Sequence, residues 1–137
     1  MTAKEYLERV KLENIKITQK MEQMELLQQA ATSTGIDLSM DRVQSSSADG
    51  IPEIVMKYLR LEEEIEQEIE ERESIRNEVI NAIHELNDEK QIKVLYEKWI
   101  KGRKVEDIAS DFPYTVKHTW RIYTEAMKNI EKIIIKY

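Results

Sequence analysis

GRKVEDIASDFPYTVKHTWRIYTEAM, residues 102–127, decides how this chain is read. The spacing predicts one short helix over Val105 to Asp111, with Ile108 and Ala109 turned inward. Ala109 suits a close crossing of two helices, where only a small side chain has room. Phe112-Pro113-Tyr114 ends that helix, because a proline ring disfavours the helical conformation of the residue before it. Thr115 is then placed to N-cap a second helix, its hydroxyl accepting a backbone N–H at residue 117 or 118. The second helix carries Lys117, Arg121, Thr124 and Lys128 at i, i+4, i+7 and i+11, which puts its cations on one face. Two helices around a tight turn, the second one cationic, is the pattern that lays a helix in the DNA major groove. An ordinary αα-hairpin with a solvated basic face is the competing account.

Charge placement separates the two. Residues 88–137 hold 11 Lys/Arg against 8 Asp/Glu, whereas residues 1–87 hold 10 against 19. Within residues 116–137 the count is 5 against 2, in a chain whose net charge is −6. The basic excess thus gathers on the helix that would meet DNA. A generic hairpin has no reason to sort charge in this way.

Read together with a preceding helix over Glu89 to Lys101, the segment resembles region 4 of bacterial primary-type sigma factors. The resemblance is carried by Gly102 after a helix, Asp107-Ile108-Ala109 within the next, and Thr115 capping the recognition helix. Pro113 stands where that turn has Gly, and Thr119 where a buried Val or Ile is usual. Over nearly its full length the chain is also similar to a family of small phage and prophage proteins with a sigma-region-4-like C-terminus, whose function is unassigned. The matching segments are Arg42-Val43-Gln44-Ser45-Ser46, the long helix after it, and Arg121-Ile122-Tyr123 leading to Ala126. The resemblance implies an all-α fold with a C-terminal trihelical helix-turn-helix domain, double-stranded DNA as a partner, and RNA polymerase as a second.

Composition agrees with an all-α chain. Three Gly, two Pro and 35% charged residues in 137 point to nearly continuous helix. No cysteine is present, so thiolate ligands and disulfides are excluded. No apolar run approaches the ~20 residues of a membrane span, and the N-terminus does not read as a signal peptide. A cytoplasmic protein of a bacterial host is expected.

Working back toward the N-terminus, Ala3, Leu7, Val10, Asn14, Ile17, Met21, Met24, Gln28 and Ala31 alternate at steps of four and three. That is a heptad seam, with Asn14 and Gln28 able to fix register or partner number. Gly35 is a plausible stop, and residues 36–50 read as a Ser/Asp-rich linker. A second helix is expected from Pro52 to about Leu86, with Ile51, Tyr58, Ile65, Val79 and Leu86 on one seven-residue lattice. Its acidic middle keeps a thin Ile65/Ile69 stripe, for which the first helix folded back antiparallel is the nearest partner and a second protomer the next. Asp88 with Gln91 makes a capping-box signature for the helix that should bury Ile92, Leu95, Tyr96, Trp99 and Ile100. Trp120 shares a stripe with Val116, Tyr123 and Met127 and is expected at the core or its edge. Ile133-Ile134-Ile135 should dock on the long helix or on a second chain. The expected division is 1–34 coiled-coil helix, 35–50 linker, 51–87 long acidic helix and 88–137 helix-turn-helix domain, with the N-terminal helices projecting from the last.

No catalytic constellation is legible, so a non-enzyme without a cofactor is expected. His84 and His118 lie on different helices with no cysteine nearby, and the glutamates form surface runs. Thr115, Lys117, His118, Arg121, Thr124 and Lys128 are the candidate DNA contacts, with Arg121 suited to reading a base edge and Lys117 and Lys128 to phosphates. Three functional classes are compatible with this reading. They are a phage-type transcription regulator that dimerises or contacts polymerase through its N-terminal helices, a DNA-handling packaging subunit, and a polymerase-interaction module that binds no DNA.

Overall fold

Every element is helical among the residues described by the computed structural model, which are 1–36, 38 and 52–135. Arg42-Val43-Gln44-Ser45-Ser46, and with it most of the expected linker, lies outside the described residues. Helix α1 spans Ala3–Ser33, its start held by the Glu5 N–H donating to the Thr2 hydroxyl at 3.1 Å. Gly35 ends it at φ +80°, letting the Ile36 N–H turn back to the Ala31 carbonyl at 2.8 Å. Only glycine reaches that conformation at little cost, which is why the stop was readable. Helix α2 spans Glu53–His84 directly after Pro52. Helix α3, Glu89–Leu95, is N-capped by Asp88, whose carboxylate accepts the Lys90 and Gln91 N–H groups at 2.8 and 3.4 Å. The Gln91 side chain does not complete a capping box. Instead it is buried, and its amide oxygen accepts from Asn129 at 2.9 Å, joining α3 to the last helix.

The helix expected over Glu89 to Lys101 changes character midway. Residues Tyr96–Ile100 form a π-helical turn, closed by the Lys101 N–H on the Tyr96 carbonyl at 3.2 Å. Gly102 follows at φ +73° and redirects the chain. Helix α4 is shorter than expected, Val105–Ala109, because residues 110–113 turn ahead of Pro113. Helix α5 spans Val116–Ile135.

The chain packs as two compact units, residues 1–13 with 72–137, and residues 14–71. This grouping cuts across the segment boundaries at 34, 50 and 87. In the first unit Leu7, Val10, Val79, Ile83, Leu95, Ala126 and Ile130 are almost wholly buried in one cluster with Trp99 and Ile100. The core is therefore not the expected trihelical one alone. The first turns of α1 and the last turns of α2 are built into it. Ile133 and Ile134 pack against this cluster, while Ile135 is 77% exposed.

The second unit has a smaller cluster of Ala31, Leu38, Val55 and Tyr58, flanked by Met24, Leu27 and Ile54. Lys20 reaches Glu68 at 3.1 Å and Glu64 at 3.9 Å, and the Gln28 amide donates to the Tyr58 hydroxyl at 3.2 Å. The heptad seam is only partly buried here, with Ile17 and Ala31 enclosed but Met21 57% exposed.

Ala109 and Ile108 are buried where α4 meets α5. Ala109→Leu is expected to destabilise this unit by about 1–3 kcal/mol, since extra methylenes at a packed crossing force the backbone apart. The exposed neighbour gives the control. Ser110→Leu should move the thermal midpoint far less, and equal shifts for the two would remove Ala109 from the crossing.

Candidate functional site

Helix α5 has two opposed faces. Thr119, Ala126 and Ile130 line the buried one. Thr119 is fully buried, and its hydroxyl donates to the Thr115 carbonyl at 3.0 Å. That bond satisfies the polar group within the helix, so a threonine sits at a position where a Val or Ile would otherwise serve. The Thr115 hydroxyl accepts the His118 N–H at 3.1 Å, which is the expected cap.

Opposite this face, Lys117, Arg121, Thr124 and Lys128 are all exposed and share a narrow arc by the helical period. Lys117, Arg121 and Lys128 make no ion pair or hydrogen bond among the described residues. The Thr124 hydroxyl donates to the Trp120 carbonyl at 2.8 Å and keeps its lone pairs for another donor. A shallow recess of about 520 Å³ is lined by Lys117, Trp120, Arg121, Thr124 and Glu125, the last being the one acid on its rim.

The other two candidate contacts stand apart. The hydroxyl of Thr115 is engaged in the cap, and the ring of His118 lies 4.7 Å from that of Tyr114. Both belong to the turn more than to the cationic arc. Tyr114 in turn sits 5.6 Å from Phe112, and Lys90 and Lys93 of α3 lie over these two rings at 5.0 and 4.9 Å. The turn ahead of α5 is thus fixed by aromatic and cation–π contacts.

Trp120 is not in the core. It is 41% exposed, beside Val116 at 43%, since none of the described elements covers the apolar edge at the start of α5. Its ring meets Tyr123 edge-on at 5.5 Å. Tyr123 is half-buried; burial pushes its hydroxyl above the usual phenol range, and the Trp99 indole beside it pulls the other way.

A second feature holds the base of the site. Arg103, just after Gly102, grips Asp111 with both terminal nitrogens, donates to the Asp107 carbonyl at 3.1 Å and lies 3.4 Å from the Glu97 carboxylate. It ties the π-helical turn to the far end of α4, across a helix too short to hold itself. The Arg103 hydrogen bond holds the Asp111 carboxyl below the ordinary carboxylate range. A depressed carboxyl pKa stabilises the fold above the unfolded value of about 3.9 and loses that contribution as pH falls through the lower folded value. Asp111→Asn should therefore lower the thermal midpoint at pH 5–7, and the difference from the parent should vanish near the bottom of an acid titration. A gap that persists unchanged in acid would show that the carboxylate is not the operative group.

Among the described residues no cluster of His, Cys, Asp and Glu could hold a metal ion, and no helix is long and apolar enough to cross a membrane. No family model, curated protein or solved structure matches the chain.

Proposed function

We propose that this chain is a phage-type DNA-binding transcription regulator in a bacterial cytoplasm. In this reading α4, the turn and α5 act as a helix-turn-helix of the sigma-region-4 kind, and α1 with α2 forms an N-terminal hairpin. One observation carries it. Lys117, Arg121 and Lys128 stand exposed on one narrow face of α5 outside any ion pair among the described residues, with Glu125 the one acid on the rim of their recess. Cations aligned along one helical face are placed to neutralise successive phosphates and release their counterions. Arg121 has the planar fork that grips a guanine edge through two bonds, Lys117 and Lys128 suit phosphates, and Thr124 adds a polar contact. Thr115 and His118 act near the turn, one as cap and the other against Tyr114.

The N-terminal helices serve contact with a partner, a second copy of the chain or RNA polymerase. Ile15, Met21 and Leu26 on α1 and Met56 on α2 are each more than two-fifths exposed and would supply apolar contacts to such a partner. Selection from a random duplex library with the full-length protein tests the function. Recovery of a shared sequence is expected. Failure to enrich any duplex, together with binding to purified RNA polymerase, would replace the DNA assignment with the polymerase-interaction module.

A further inference from the structure

We propose that Trp120 reads thymine, its exposed indole packing on the 5-methyl group that thymine presents in the major groove. The proposal rests on the DNA-binding reading above and adds to it a specificity-determining residue. Its ground is the pairing of an apolar ring with free cations in one recess. Trp120 lies with Lys117, Arg121 and Thr124 around about 520 Å³ of open space, and 41% of its surface is in water. A phosphate drawn to Lys117, with Arg121 at a base edge, brings this edge of α5 against the groove wall. In that wall the apolar group on offer is the thymine methyl, while the other base edges present donors and acceptors.

The ring is also held ready. Its edge-on contact with Tyr123 at 5.5 Å connects it to a half-buried residue beside the enclosed Trp99, so the indole is braced from the core side. A braced aromatic loses little freedom on binding, which suits a contact that must discriminate a single methyl. Val116, 43% exposed one turn earlier, extends the same apolar edge.

The test uses the duplex enriched by the full-length protein from a random library, with each thymine replaced in turn by deoxyuridine. That change removes the methyl and nothing else. At one or two thymines the replacement should weaken binding about fourfold, the effect of one buried methyl-sized group. Trp120→Ala should weaken the thymine duplex by the same factor and bind thymine and uracil duplexes alike. Trp120→Phe, which keeps an apolar ring, should retain the preference and guards against an unfolded alanine variant. Lys117→Ala should weaken both duplexes equally. A selected site without thymine, uracil replacement without effect at every position, or a Trp120→Ala protein that still prefers thymine would each overturn the proposal while leaving DNA binding standing. Absence of any enriched duplex would overturn both.

Discussion

Leu7→Ala is expected to destabilise the unit formed by residues 1–13 and 72–137 by about 2–5 kcal/mol. Leu7 is wholly buried, in a cluster with Val79, Ile83, Leu95 and Ile130. Removing such a side chain loses its transfer energy and leaves a cavity that packed neighbours only partly close. Against a typical stability of about 5–15 kcal/mol the loss is large. The change lies 92 residues before Trp99 of the same cluster, so it asks directly whether the first turns of the chain belong to the same cooperative core. Urea unfolding followed by tryptophan emission in a Trp120→Phe background, which leaves buried Trp99 as the sole tryptophan, gives the answer. Leu26→Ala, at a 64% exposed position, should stay within about 0.5 kcal/mol of the parent. A Leu7→Ala protein whose Trp99 transition is unmoved would separate α1 from that core.

The second large effect belongs to the proposed interface. Arg121→Ala should weaken binding to the selected duplex by about 1–3 kcal/mol while barely changing affinity for random DNA, because a bidentate base contact is lost. Lys128→Ala should instead weaken both duplexes to a similar extent and flatten the salt dependence by about one unit. Titration of each variant with a labelled selected duplex and a labelled random one distinguishes the roles. Equal losses on both duplexes for Arg121→Ala would make it another phosphate contact.

Local signals in the sequence read through to structure where a single residue sets the backbone. Asp88 and Thr115 cap the helices they precede, Gly35 stops α1, and Ala109 is buried where α4 meets α5. Longer-range outcomes were not legible. The π-helical turn at Tyr96–Ile100 keeps the apolar spacing of an ordinary helix at Tyr96, Trp99 and Ile100, so periodicity cannot reveal it. Gln91 closes no capping box because its partner, the half-buried Asn129, lies on a helix 38 residues away. The enlarged core follows from tertiary packing of both ends of the N-terminal helices, which a heptad seam records only as a need for some partner.

The candidate site divided in the same manner. Lys117, Arg121, Thr124 and Lys128 share a face because helical spacing alone places them, whatever packs behind. Trp120 stands at the core's edge rather than within it, and spacing alone cannot separate the two, since Val116, Trp120, Tyr123 and Met127 form a stripe as apolar as the core face. Among the described residues Val116 and Trp120 are the two of them left largely in water. The Arg103–Asp111 pair, eight residues apart across α4, matches no helical pair spacing and so is not legible from sequence.

The slope of binding against salt tests the central claim most directly. Full-length protein is titrated with a random duplex across a range of salt concentrations. Lys117 and Lys128, the two phosphate contacts on α5, each releasing close to one counterion, predict a plot of log affinity against log salt with a slope of about −2. A flat plot, or no measurable duplex affinity at the lowest salt, would contradict the account.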